Sequence, residues 1–214
     1  MTFFVLGNPR ADDGSSTTDF IPADNARLGD APRCSLCGSY VGLRRLLAPI
    51  EVDVEAWGSS WGDIAFGPAD QILISEKCRR LFESAEISGI ERIDVVTVRR
   101  VRARGGMIAT SIPRYWLATI AHGTAIIDDK SSTVRRSQDR VCSECGLGGI
   151  LFGLKNLVLK QGSWSGEDVF YARGLPGVML VSKRFKDVVE ASGLTNFMFQ
   201  NADEYELDFD QGKS

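Results

Sequence analysis

Four of the five cysteines in this chain stand as two Cys-x-x-Cys pairs, Cys34-Ser35-Leu36-Cys37-Gly38 and Cys142-Ser143-Glu144-Cys145-Gly146. A Cys-x-x-Cys turn lets one tight loop supply two thiolates, and two such loops complete a tetrahedral zinc shell. The glycine after each pair can take a positive φ and turn its N–H toward sulfur. Cys34, Cys37, Cys142 and Cys145 are therefore the expected ligands of one Zn2+ ion. Four thiolates leave no open coordination position, so such a zinc is structural and activates no water. The rival chemistry is thiol redox, which places Cys-x-x-Cys at a helix N-terminus after a strand. Gly-Ser-Tyr-Val-Gly and Gly-Leu-Gly-Gly follow the two pairs instead, and neither reads as a helix start. Cys78 stands apart on an apolar helical stripe, where a thiol packs as a small core residue.

The other polar groups carry less. His122 is the only histidine, which excludes catalytic zinc built on several histidines; it falls where a hairpin would turn. Asp63 and Asp168 each lie near a tryptophan and a phenylalanine. They could form a carboxylate pair, but capping turns beside buried aromatics is the simpler role. Arg100, Arg102 and Arg104 share one face of a valine-rich strand that also carries Arg92 and Arg99. That stripe is either a phosphate-binding surface or a solvated sheet face. A net charge of -3 and a pI near 5.3 weigh against nucleic acid. Near the C-terminus Asp203, Glu204, Tyr205, Glu206 and Asp208 combine acid and aromatic character. They form either a solvated edge or a docking surface for a basic partner.

Positioning these groups takes a sizeable scaffold. The chain has 214 residues, 43% of them apolar and 25% charged, as in an ordinary water-soluble globular protein. The N-terminal apolar run, Phe3 to Leu6, is too short for a secretory segment. No stretch approaches the roughly 18 apolar residues of a membrane span, so the expected location is the cytoplasm. Thr2 to Leu6 reads as a strand, followed by loop composition up to the first cysteine pair. Asp70 to Gly89 contains a helix capped by Ser75, with Cys78, Leu81, Phe82 and Ala85 on one face and Gly89 as its stop. Ile90 to Arg104 is a strand. Tyr115 to Ala121 and Thr124 to Ile127 read as a hairpin turning at His122-Gly123, and Asp128 to Arg140 as a loop. Strands follow at 154–159, 168–170 and 178–181. Ser182 caps a second helix that Gly193 stops, Phe197 to Phe199 is extended, and the tail frays beyond about Phe209.

An internal repeat organises these pieces. Cys34 and Cys142 are 108 residues apart, and the caps Ser75 and Ser182 are 107 apart. Cys78, Leu81 and Phe82 align at that offset with Phe185, Val188 and Val189. Each half runs from a cysteine loop through a Trp-Asp-Phe segment to a strand, a Ser-capped helix and a Gly stop. The expectation is an α+β fold in which two pseudo-repeated halves, about 30–107 and 138–210, share a zinc-ribbon-like site within one unit spanning 1–214.

The two cysteine motifs, the opening Thr2-Phe3-Phe4-Val5-Leu6 strand and the closing residues together resemble the myxobacterial double-CXXCG motif protein family. That closing series comprises Asp168-Val169-Phe170, Ser182-Lys183-Arg184-Phe185 and Gly193-Leu194-Thr195-Asn196-Phe197-Met198-Phe199. Immunity proteins of swarming-inhibition toxins belong to that family. The resemblance implies a cytosolic protein, not an enzyme, that binds a contact-delivered bacterial toxin and blocks it by occlusion. It is weakest over residues 90–135, the segment expected to set which toxin is bound. The alternative is a zinc-ribbon nucleic-acid-binding or regulatory protein.

Overall fold

The computed structural model describes residues 1–9, 16–68, 71–104, 111–137 and 141–208. In chain order its elements are β1 (Phe3–Gly7), β2 (Thr17–Pro22), β3 (Ile50–Trp57), β4 (Ile64–Phe66), β5 (Gln71–Ser75), α1 (Glu76–Ser84), β6 (Ile90–Arg104), β7 (Tyr115–Ile120) and β8 (His122–Ile126). Then come β9 (Thr133–Arg136), β10 (Leu151–Lys155), β11 (Val169–Arg173), β12 (Met179–Ser182), α2 (Lys183–Ser192), β13 (Met198–Asn201) and β14 (Glu206–Asp208).

Six strands close a barrel in the order β2-β3-β6-β7-β5-β4. Its wall shows the period-2 pattern of a half-buried strand. In β3, Ile50, Val52, Val54 and Ala56 are buried, whereas Glu51, Asp53 and Glu55 alternate outward. Phe20, Leu73, Tyr115 and Leu117 complete the interior. Beside the barrel lies a five-stranded sheet, β13-β1-β12-β11-β8, and beyond it a three-stranded sheet, β14-β10-β9. The five-stranded sheet is covered on both faces. One face packs with α1, α2 and the barrel wall through Leu6, Val169, Tyr171, Met179 and Val181. The other packs on Leu151, Leu154 and Leu157 through Val5, Phe170, Ala172 and Leu180. Double burial explains why β12 is buried at every position.

The helices are where the barrel and the sheet are joined. Ser75 and Ser182 are extended N-caps whose hydroxyls accept from Cys78 N and Phe185 N, each at 3.1 Å. Phe82 and Phe185 meet with ring centroids 5.3 Å apart. Two aspartates then cross-connect the corners. Asp63 accepts from the Ser75 hydroxyl at 2.7 Å and from Thr195 N, beyond α2, at 3.0 Å. Asp168 accepts from the Ser182 hydroxyl at 2.9 Å and from Ser88 N, beyond α1, at 3.1 Å. Each carboxylate therefore binds the cap of the helix that follows it and the chain leaving the other helix. Arg184 adds an ion pair to Asp168.

The expected α+β fold in two equivalent halves is corrected. The structure is mostly β, with a closed barrel in one half and open sheets in the other. Similarity at the 107-residue offset covers the cysteine loops, the Ser-capped helical corners and the antiparallel strand pair before each helix, β4-β5 and β11-β12, beyond which the neighbouring strands close a barrel on one side and an open sheet on the other. The cysteine loops are also not a pair of zinc ribbons, since isolated bridges flank the first whereas the antiparallel β9 and β10 flank the second. The expected hairpin at His122 is absent as well. β7 lies in the barrel between β5 and β6, whereas β8 pairs in parallel with β11. The chain passes from barrel to sheet at Ala121, and His122 is a strand residue whose ring stacks on Tyr171 at 5.4 Å. Helix α1 ends at Ser84, well before Gly89. Gly89 serves a different purpose, because at φ +93° a Cβ there would stand 1.8 Å from the Val169 carbonyl oxygen. The segment read as loop before the first cysteine pair includes β2, and the 128–140 loop includes β9. The expected fraying beyond Phe209 falls on residues outside those described.

Asp168 is buried and accepts from three protein groups besides Arg184. Asp168→Asn turns an acceptor into a donor facing donors, and should cost roughly 2–4 kcal/mol of unfolding free energy in urea titration. Gly89→Ala should cost about as much through steric overlap and backbone strain. A loss below about 0.5 kcal/mol in both variants would remove the corner as the joint of the fold.

Candidate metal centre

The four expected ligands converge from two sides of the molecule. Cys34 and Cys37 lie at the tip of a long irregular finger that leaves the barrel after β2 and returns at β3. Its two arms are held by Gly29 N to Arg45 O and Leu47 N to Arg27 O, both 2.8 Å, and by bridges at Leu28–Leu46 and Arg33–Tyr40. Cys142 and Cys145 lie between β9 and β10. Both loops close alike: Gly38 N donates to Cys34 O at 3.0 Å, and Gly146 N to Cys142 O at 2.9 Å. The glycines need their left-handed conformations, φ 73° and 69°. Gly146 also runs so close to β11 that a Cβ would lie 3.2 Å from Arg173 backbone atoms.

Sulfur positions across the two loops are 3.9 Å apart for Cys34–Cys142 and 3.6 Å for Cys37–Cys145. All four sulfurs lie within 4.8 Å of one another. Four sulfurs held tetrahedrally at about 2.3 Å from one ion would stand roughly 3.8 Å apart. A disulfide needs about 2.05 Å, so this spacing fits shared coordination. Cys34 and Cys145 are buried and Cys37 is exposed. Hydrogen bonds from the Ser39 hydroxyl and amide draw Cys37 down to about 6, whereas burial pushes Cys145 up to about 12. A cation would offset the cost of holding several thiolates together.

Neighbouring groups fix the loops. The Ser35 hydroxyl donates to both Glu144 carboxylate oxygens at 2.8 Å, linking the loops beside the sulfurs. Arg173 holds the Glu144 carbonyl at 2.9 Å, and the largely buried Arg136 holds the Gly146 carbonyl at 3.0 Å. These supports escape sequence reading because their partners lie on β9 and β11. Cys78 is buried in the α1 core, where desolvation raises its thiol.

The remaining candidates are placed as follows. Three arginines of the β6 stripe lie within ion-pair distance of acids on the neighbouring β3, and Arg102 is exposed with no such pair among the described residues. Arg99 meets Glu51 at 3.8 Å, Arg100 meets Asp53 at 3.7 Å, and Arg104 pairs with Glu55. In the C-terminal segment Asp208 pairs with Arg135 at 2.8 Å and Glu206 with Lys155 at 3.3 Å. Tyr205 is half-buried against the sheet, while Asp203 and Glu204 form an exposed 3-10 turn. Among the described residues, no helix is long and apolar enough to cross a membrane.

Comparison with known proteins adds one match. A family model described as Immunity protein family (Imm11) matches residues 62–204. The matched segment includes both helical corners and the second cysteine pair, and it begins after the first pair. No curated protein matches the chain.

Elemental analysis of the purified protein should find one metal ion per chain. Cys145→Ser should abolish that stoichiometry and lower the thermal midpoint by roughly 10 °C, or about 3 kcal/mol. The barrel should persist by circular dichroism, because its core does not include the site. Wild-type protein holding clearly less than one ion per chain would rule out the metal centre.

Proposed function

We propose that this chain, which belongs to the Imm11 immunity protein family, binds a cognate polymorphic, contact-delivered bacterial toxin and neutralises it by stoichiometric occlusion. The family match over 62–204 carries this reading. The resemblance of the cysteine loops and closing segment to double-CXXCG immunity proteins of swarming-inhibition toxins supports it further.

In this reading the protein acts in the cytoplasm and catalyses nothing. Cys34, Cys37, Cys142 and Cys145 hold a structural zinc. All four positions would be supplied by protein, so the ion offers no site for water or substrate. It clasps the finger from the barrel to the sheet-side loop, and the doubly covered sheet keeps both in register. A partner then meets a surface whose ordering cost is already met by folding, which favours tight binding. Asp203 and Glu204, exposed in the C-terminal turn, are the part of the acidic segment best placed to meet basic groups of a toxin. Nucleic-acid binding is the weaker reading, since Arg99, Arg100 and Arg104 of β6 lie beside acids of the same protein.

The test is genetic and biochemical. Deleting the gene in cells that make the neighbouring toxin should be lethal, and expressing the full chain should restore growth. The chain should co-purify with that toxin at one-to-one stoichiometry. Normal growth of the deletion strain with an active toxin present would sink the proposal.

A further inference from the structure

The finger that carries Cys34 and Cys37 gathers three exposed arginines, Arg27, Arg33 and Arg44, in one stretch of chain. Many arginines meet carboxylates of this chain: Arg79 with Glu76, Arg100 with Asp53, Arg136 with Asp129, and, at the base of the finger, Arg45 with Glu91. On the finger, Arg27, Arg33 and Arg44 are exposed and, among the described residues, no carboxylate lies within ion-pair distance of them. Their guanidiniums are held by neutral groups instead. Arg44 donates to the carbonyls of Gly29 at 2.9 Å and Leu28 at 3.3 Å. Arg33 donates to the Gly38 carbonyl at 2.9 Å and lies 3.7 Å over the Tyr40 ring. Arg27 donates to the Ala48 carbonyl at 3.3 Å. Arg33 also donates to the Tyr40 hydroxyl, and these contacts orient the guanidiniums while leaving their positive charge unmatched by any carboxylate among the described residues.

Between Arg33 and Arg44 runs an open groove of about 740 Å³ along Tyr40 and Leu43, with Asp30 as its single acid. Tyr40 is 56% exposed, Leu43 53% and Leu36, at the tip, 63%. The finger is fixed at both ends: the cysteine cluster holds its tip, and Leu46, buried with its amide donating to Gln71 Oε1 at 3.0 Å, holds its base. It also lies outside the family-matched segment 62–204.

We infer that this groove is a recognition arm for an acidic, partly apolar segment of the toxin, with Arg33 and Arg44 pairing its carboxylates and Tyr40 and Leu43 covering its apolar side chains. The inference rests on the immunity reading above and specifies its contact surface. Charge complementarity selects the occupant. Unpaired, pre-oriented arginines beside exposed apolar groups match a carboxylate-bearing peptide surface. A polyanion would be served by a longer run of free cations on a less acidic protein. Because the arm lies beyond the family-matched segment, it is suited to choosing one toxin among many.

The probe is the toxin encoded beside this gene, titrated with the full chain. Arg33→Glu/Arg44→Glu should weaken binding at least about tenfold and reduce its salt dependence. Arg33→Lys/Arg44→Lys should retain most of the affinity, and Asp30→Asn should tighten it by removing the groove's one repulsive charge. Metal content and thermal midpoint, unchanged in these variants, separate recognition from misfolding; Asp30→Asn also predicts a gain that damage to the fold would not produce. Wild-type binding that the Glu double variant leaves intact overturns the arm but keeps the immunity reading. No binding by the wild-type chain overturns both. If charge reversal instead dissociates a dimer of this chain, or abolishes binding to duplex DNA with toxin affinity unchanged, the groove serves a second copy or phosphates and the inference fails.

Discussion

The exchange of hydrogen bonds by Asp63 and Asp168 is the constraint on which the arrangement of this protein turns. A carboxylate withdrawn from water costs free energy unless its oxygens are satisfied. Each aspartate meets that demand with a serine cap on one side and a backbone amide from beyond the other helix on the other. Neither set of partners is complete unless the barrel and the sheet are docked. The apolar cluster of Ile74, Phe82, Phe185 and Val181 supplies area at the same joint, but burial alone is indifferent to small rotations. The aspartates make the docking specific.

A second connection lies at the cysteine cluster. The aspartate corners join the two bodies through their cores, whereas the cysteine loops join them at the surface, where a finger without regular strands reaches the sheet side. Such a finger buries few apolar side chains, Ala23 and Leu46 among them, and would otherwise be loosely held. Arg136 and Arg173 hold the sheet-side loop from its backbone carbonyls, so an ion bound there would transmit the rigidity of β9 and β11 to the finger tip.

Charge is distributed to the same end. Along β3 and β6, Glu51, Asp53 and Glu55 lie beside Arg99, Arg100 and Arg104 and offset much of that wall's positive charge. On the finger the arginines are turned toward carbonyls and an aromatic ring, and their charge stays available. A count of arginines favours β6 as the basic surface, whereas the cross-strand partners favour the finger.

How much of this was legible in the chain follows from the range of each interaction. Ser75 and Ser182 were readable as caps because a cap acts within three residues. The β6 strand was readable from its β-branched content, Ile93, Val95, Val96, Val98 and Val101, and the cysteine pairs from their spacing with Gly38 and Gly146. The offset between halves was real at the helical corners, but it could not report that one set of flanking strands closes a barrel while the other lies in an open sheet. The sequence reading missed β3 although Ile50, Val52, Val54 and Ala56 alternate with a strand's period, and its parallel pairing with β6 makes it a barrel wall. The His122 region has the composition of a hairpin, and it becomes a crossing between sheets because β7 and β8 find partners elsewhere. By itself, then, the sequence determined the caps, the cysteine loops and the positions that needed burial or a positive φ, all of which are settled by neighbours along the chain. Only the tertiary structure decided which strands pair, which arginines keep their charge and how the aspartates join the two bodies, because those partners are brought together by contacts dozens of residues apart.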